Sequence, residues 1–170
     1  MEFTYFIGAD VSKNELDFSV MQGKRFLFHK EVSNSPTAIK AFIKELTKLP
    51  DFDPKQAVFC MEHTGIYTNF LLTILHEKKI AICLEAATQI KNSLGNLRGK
   101  SDKVDSLRIA EYAYKNRSEL RLWQPKREIL QQLAYHSAIR SRLIQVQKTI
   151  KTPLKETGLF LSKAQQKAHN

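Results

Sequence analysis

Residues 3–33 read FTYFIGADVSKNELDFSVMQGKRFLFHKEVS, and this stretch decides the fold. Phe3 to Asp10 is an apolar run that closes on Gly8-Ala9-Asp10. Leu16, Phe18 and Val20 then alternate with Asp17 and Ser19, the period of two expected of a strand with unlike faces. Gln22-Gly23-Lys24 makes a turn, after which Phe26 and Phe28 open a return run through Val32. Short turns between consecutive strands predict a three-stranded antiparallel meander.

Beyond Val32 the period changes. Ser35-Pro36 signals a helix start, and Ile39, Phe42, Ile43, Leu46 and Leu49 follow at helical spacing up to Pro50. Ala57 to Met61 reads as a short buried strand closing on Glu62. Tyr67, Leu71, Leu72, Ile74 and Leu75 outline a second helix, and Ile80 to Leu84 a further strand. Ala86 onward reads as helix, and Ser101 as the N-cap of another that runs to about Lys115. Strands alternating with helices imply parallel pairing through right-handed crossovers. A meander extended by two parallel strands, with helices on its faces, is an α/β, ribonuclease-H-like layout with a mixed five-stranded sheet.

The tail has another character. After Trp123-Gln124-Pro125 a long polar helix is expected from Lys126 to Lys151, with Pro153 ending it. Ile139, Leu143, Val146 and Ile150 recur at 4-3-4 spacing, a coiled-coil-like seam whose preceding positions hold Gln132 and His136. Such a seam predicts self-association through residues 126–151. The expected division is residues 1–122 as one domain and 123–170 as a helical extension, with Trp123 packing the extension onto the domain. Phe26, Phe28, Phe42 and Phe70 are assigned to the core. Tyr112 and Tyr114 fall on different sides of their helix, which leaves at least one of them open to contact nucleic acid.

Composition narrows the function. No apolar run approaches the ~18 residues a membrane span needs, and MEFTYFIGADVSK lacks the basic start of a secretory signal. A cytoplasmic location is expected. Cys60 and Cys83 sit in apolar runs without CxxC spacing, and the five histidines include no HExxH, which argues against a zinc site. The net charge is +10, yet residues 1–95 are balanced at 11 basic and 11 acidic side chains. Residues 96–170 hold 16 basic against 6 acidic and so carry the entire excess. Such asymmetry points to a polyanionic partner, most often nucleic acid.

Four acids stand out against that background. Asp10 and Glu62 each close an apolar strand, and the expected topology makes those strands parallel neighbours. Two carboxylates at the carboxyl edge of one sheet repel each other unless a cation lies between them. Asp102 and Asp105, three apart near a helix start, share a helix face and are surrounded by Arg98, Lys100, Lys103 and Arg108. Four converging carboxylates suit two divalent ions acting on a phosphodiester, and hard oxygen donors favour magnesium or manganese.

The segment Ile7-Gly8-Ala9-Asp10-Val11-Ser12-Lys13, with Asp17 shortly after, resembles the first motif of the DEDD insertion-sequence transposases, the family of the Piv-type invertases and the bridge-RNA-guided recombinases. Glu62-His63-Thr64-Gly65-Ile66-Tyr67 resembles the second. Lys100-Ser101-Asp102-Lys103-Val104-Asp105-Ser106 resembles the third, with Ser106 where alanine is usual. The resemblance implies a RuvC-like domain whose Asp10, Glu62, Asp102 and Asp105 hold Mg2+ or Mn2+. It implies DNA as substrate, a structured guide RNA in some members, and a prokaryotic setting. Lys13, Arg98, Lys100, Lys103 and Arg108 are the expected phosphate contacts. In the family a second domain after the coiled coil supplies a serine nucleophile. Residues 1–170 alone are therefore expected to bind nucleic acid without completing recombination.

Three rival readings fit the residues less well. An actin-like phosphotransferase shares the strand-Asp opening, but Val11-Ser12-Lys13 fills the turn where its phosphate loop needs glycine or threonine. Gly95 to Ser101 imitates a P-loop with three residues between its glycines instead of four. A non-catalytic nucleic-acid-binding module accounts for the charge and leaves the placed acids unexplained.

Overall fold

In the computed structural model, which describes residues 2–63, 65–94, 102–125 and 127–158, three strands open the chain: β1 (Tyr5–Val11), β2 (Glu15–Gln22) and β3 (Arg25–Ser33). Consecutive strands pair antiparallel. Gly23 takes φ +55° in the two-residue turn between β2 and β3, a conformation that glycine adopts without steric cost. Ser35 caps α1 (Pro36–Leu46) by accepting from the Ala38 N–H, and Pro36 occupies the first turn. The chain crosses over to β4 (Ala57–Glu62), which runs parallel to β1. After α2 (Asn69–Glu77) it crosses again to β5 (Ala81–Glu85), parallel to β4. The sheet order is β3-β2-β1-β4-β5. The fold is the ribonuclease-H-like one expected from the strand pattern.

Alternation along the strands sorts the core into two faces. Tyr5, Ile7 and Ala9 of β1, with Leu16, Phe18, Val20, Phe59 and Ile82, join the buried side chains of α1 and α2. Phe18 stacks on Phe42 at 4.1 Å and meets Phe59 edge-on at 6.1 Å. Burying each such side chain stabilises the fold by roughly 1.5–3 kcal/mol. The other face carries Phe6, Met21, Val58, Cys60 and Cys83 against Ile90 of α3 (Ala87–Leu94) and Ile109, Ala110 and Ala113 of α4 (Asp102–Lys115). Because β1 is covered on both sides, it reads as a continuous apolar run.

α4 lies unusually close to the sheet, and Gly8 is the reason. A Cβ at Gly8 would stand 2.1 Å from the Ser106 carbonyl oxygen and 2.4 Å from the Ala110 nitrogen. Ser106, Ala110 and Ala113 present small side chains along the buried line of the helix. Ser106 meets the level of Gly8, whereas Tyr114 packs edge-on against Phe6 at 5.3 Å. α4 therefore runs opposite to β1, with its first turn toward the carboxyl end of that strand.

Several expectations are corrected. Phe70 is 52% exposed, because the buried side of α2 is Leu71, Leu72, Ile74 and Leu75. Phe26 is 38% exposed, since β3 is an edge strand. Tyr112 is buried, and Tyr114 packs on Phe6 beneath the Arg117 guanidinium, so core contacts occupy both rings. Trp123 packs on the first core cluster, edge-on to His76 at 6.0 Å, and its backbone N–H donates to the Ile82 carbonyl. With the bridge from Leu122 to Cys83, this segment covers the free edge of β5.

The chain divides into two units, Met1–Trp123 and Gln124–Asn170. The second contains α5 (Glu128–Gly158), which continues through Pro153 instead of stopping there. A proline removes one helical N–H donor, a local loss that intact turns on either side can absorb. Thr149 and Thr157 back-bond to the carbonyls of Gln145 and Pro153 on the two sides. Among the described residues no helix is long and apolar enough to cross a membrane.

Candidate active site

Register places five acids in one row across the sheet. Asp10 lies opposite Asp17, Asp17 opposite Glu31, and Glu62 opposite Glu85. On the parallel pair β1 and β4, Ala9 stands beside Met61, so Asp10 and Glu62 follow side by side. Partners across a sheet share a face, and this row lies on the α3–α4 face where β1, β4 and β5 end. Neighbouring strands are about 4.8 Å apart. Ligands of open α/β sheets bind just outside this edge.

The members of the row differ in surroundings. Asp17 is buried, and its Oδ1 accepts from His29 Nε2 at 2.8 Å. Asp10, Glu62 and Glu85 are half-buried, and Glu31 is exposed on the edge strand. The His63 N–H donates to the Glu85 carbonyl at 3.1 Å, so the β4–β5 ladder holds to its last residue. The loop after Asp10 is fixed as well. Ser12 N–H and Oγ both donate to the Glu15 carbonyl at 3.0 Å, and Asn34 Nδ2 donates to the carbonyls of Ser12 and Tyr67. Lys13 is exposed at the tip of that loop.

α4 brings the third motif to the same edge. From Ser106 back to Asp102 the helix rises about 6 Å, and from Gly8 on to Asp10 the strand advances about 6.6 Å. The first turn of α4 thus stands level with the acid row. A hydrogen bond of 2.8 Å between the buried hydroxyls of Ser19 and Ser106 holds it there. The Asp105 carboxylate accepts from Arg108 Nη1 at 2.8 Å. Asp102 opens α4 in backbone terms, while its side chain, that of Lys103, and the whole of Arg98 and Lys100 lie outside the described residues. Among the described residues no three His, Cys, Asp or Glu side chains converge closely enough to hold a metal ion.

The row's neighbours have shifted acidities. Cys60 and Cys83 are partners in register, one step inward from Glu62 and Glu85. The hydrogen bond to Cys83, then burial and the nearby Cys83, Glu85 and Glu62, push the Cys60 thiol well above its ordinary range. A thiol so held is no nucleophile. Burial and then the Glu85 charge push the Tyr112 hydroxyl up to about 12. Sequence reasoning overlooked Glu85, although it closes β5 as Glu62 closes β4. The Asn34 staple and the His29 partner of Asp17 leave no sequence signal.

The family model of the IS110-type DEDD transposases, described as transposase, matches residues 7–157, from β1 to the end of α5. The chain belongs to this transposase family. No curated protein matches the sequence. Among solved structures the transposase is similar to T. thermophilus RuvC in complex with Holliday junction substrate. The identity is 16% and the TM-score 0.50, covering 71% of this chain and 99% of that one. A second Thermus thermophilus RuvC structure matches at 16% identity and TM-score 0.48, covering 70% and 99%. At 16% identity the first likeness is one of fold, and it makes the transposase's sheet RuvC-like.

Proposed function

We propose that this transposase performs divalent-metal-dependent phosphodiester chemistry on DNA, with Asp10, Glu62, Asp102 and Asp105 as ligands for two Mg2+ or Mn2+ ions. The observation that carries this reading is the adjacency of Asp10 and Glu62 on one face of parallel strands, level with the first turn of α4. The donors are all carboxylates, a set that fits a hard cation. Such ions, when bound, lower the pKa of an attacking hydroxyl and stabilise charge on the leaving oxygen.

The chain's own residues do the rest. Asp10 and Glu62 concentrate negative charge where a cation is needed, and His29 donates a hydrogen bond to the next acid, Asp17. Lys13, Arg98, Lys100, Lys103 and Arg108 position backbone phosphates. Tyr67 and Phe70, 40% and 52% exposed after Glu62, offer flat faces on which bases stack. Residues 1–122 form the catalytic part and 123–170 an extension that self-associates through residues 126–151. A structured guide RNA and a prokaryotic cytoplasmic setting complete the reading and rest on the family resemblance.

Calorimetric titration with Mn2+ tests the site. Wild type is expected to bind, and Asp10→Asn to lose at least about tenfold in affinity. Equal binding by the two proteins overturns the assignment. A non-catalytic nucleic-acid-binding role draws support from the basic excess of residues 96–170, which tracks phosphates without need of the acids. It predicts DNA binding of equal strength with Mg2+ and with a chelator, and no nicking of supercoiled plasmid under either condition.

A further inference from the structure

Asp105 and Arg108 are three residues apart on α4, a spacing that lets their side chains meet on one helix face. Their contact is 2.8 Å, with the Asp105 side chain 42% exposed and the Arg108 side chain 21% exposed. The pair is more open than Asp17 and His29 of the acid row, whose 2.8 Å contact is part-buried with the Asp17 side chain only 10% exposed. A carboxylate that accepts from a guanidinium has engaged one of its oxygens, and the guanidinium charge repels an approaching cation. The backbone of α4 is pinned by Gly8 and by Ser19–Ser106, so Asp105 changes partners by moving its side chain.

We propose that Arg108 is a latch on Asp105, released when a backbone phosphate takes the guanidinium. The proposal rests on the metal-site reading above and adds its regulation. Guanidinium groups bind phosphate in the same forked manner as carboxylate, so a phosphodiester entering the site competes directly with Asp105 for Arg108. Once Arg108 has transferred, the Asp105 carboxylate is available to a divalent ion and the repelling charge is neutralised by the phosphate. Metal and nucleic acid then favour each other's binding, and the effect is reciprocal. The transposase thereby loads metal fully on DNA and weakly without it.

The test uses residues 1–170, Mn2+ as the metal, and a short DNA duplex. Wild-type affinity for Mn2+ should rise at least about fivefold when the duplex is bound. Without DNA, Arg108→Gln should bind Mn2+ about fivefold more tightly than wild type, the small gain expected from removing a partly exposed ion pair. The duplex should then enhance Mn2+ binding less in Arg108→Gln than in wild type. Arg108→Lys, which keeps the charge and loses the fork, should fall between the two. Binding by Arg108→Gln equal to or weaker than wild type without DNA overturns the latch. If Asp10→Asn still abolishes Mn2+ binding in that case, the metal site itself stands. If wild type binds no Mn2+ with or without DNA, metal site and latch fall together.

Discussion

Ser19 Oγ and Ser106 Oγ lie 2.8 Å apart, both fully buried, and tie β2 to α4 across the face of the sheet. Ser106 follows Asp105 and stands one helical turn beyond Asp102, so this bond sets the rotation of the helix that carries both acids. Ser106→Ala leaves the Ser19 hydroxyl without it in an apolar setting, at a cost of about 1–3 kcal/mol. Removing both hydroxyls, in Ser19→Ala with Ser106→Ala, should recover part of that loss, because the Ser19 hydroxyl left behind by Ser106→Ala is then gone as well. Urea denaturation of the two single variants and the double variant measures this. A double variant less stable than Ser106→Ala by the full cost of Ser19→Ala would show that the two hydroxyls act independently.

Gly8→Ala should do more harm than either serine change. The new methyl would sit 2.1 Å from the Ser106 carbonyl oxygen and 2.4 Å from the Ala110 nitrogen, and both are backbone atoms of α4. The helix has to move off the sheet, which costs about 3 kcal/mol, the upper end of the usual overpacking penalty. The same displacement takes Asp102 and Asp105 out of level with Asp10. Thermal unfolding should register the loss, and Mn2+ affinity should fall even at temperatures where the variant is folded. An unchanged unfolding midpoint would contradict the close packing of α4 on β1.

Alkaline pH should destabilise the fold through Tyr112. Burial, and then Glu85, raise its hydroxyl from the ordinary value near 10 to about 12 in the folded chain. A raised folded value favours the protonated form, so the contribution to stability is complete below pH 10. It declines as pH rises from about 10 toward 12, where the unfolded chain loses the proton first. Tyr112→Phe cannot ionise there, and its unfolding midpoint should drop less than that of wild type between pH 9 and 11. Tyr5, also raised by burial and then Asp51, contributes a slope of the same sign and remains in both proteins. Parallel decline in the two proteins would remove Tyr112 from the account.

The sheet is legible because β1, β4 and β5 are short apolar runs that each end at or next to an acid, and helix signals precede β4 and β5. Asp10 and Glu62 could be placed side by side from topology alone. The full row could not, since register decides which residues of Asp17, Glu31 and Glu85 fall level with them, and hydrophobic pattern leaves register open by whole pairs. Phe70 reads as core because Phe70, Leu71, Leu72, Ile74 and Leu75 make α2 apolar almost all round, so spacing does not reveal its buried side. Pro153 was read as a stop because proline ends most helices, whereas α5 bears the loss of one donor. The contact of Asp105 with Arg108 is legible in their spacing of three on one helix, which puts both side chains on one face.

Self-association and nucleic-acid binding should respond to salt in opposite directions. α5 exposes Leu143, Val146 and Ile150 at 64%, 54% and 55%, and Ile129 at 65% lies earlier in the same seam. Burying that seam against a second copy would be favourable by area. Yet Arg140, Arg142, Lys148, Lys151 and Lys155 of α5 outnumber Glu128 and Glu156, so two copies repel each other. Salt screens that repulsion, and sedimentation should show dimer increasing between 50 and 500 mM NaCl. DNA binding through phosphates weakens over the same range as counterions are no longer released into dilute salt. Leu143→Lys with Val146→Lys should abolish the dimer at every salt concentration and leave the metal site intact. A monomer at all concentrations of wild type, or a dimer that dissociates on adding salt, would show that the apolar seam of α5 does not drive association.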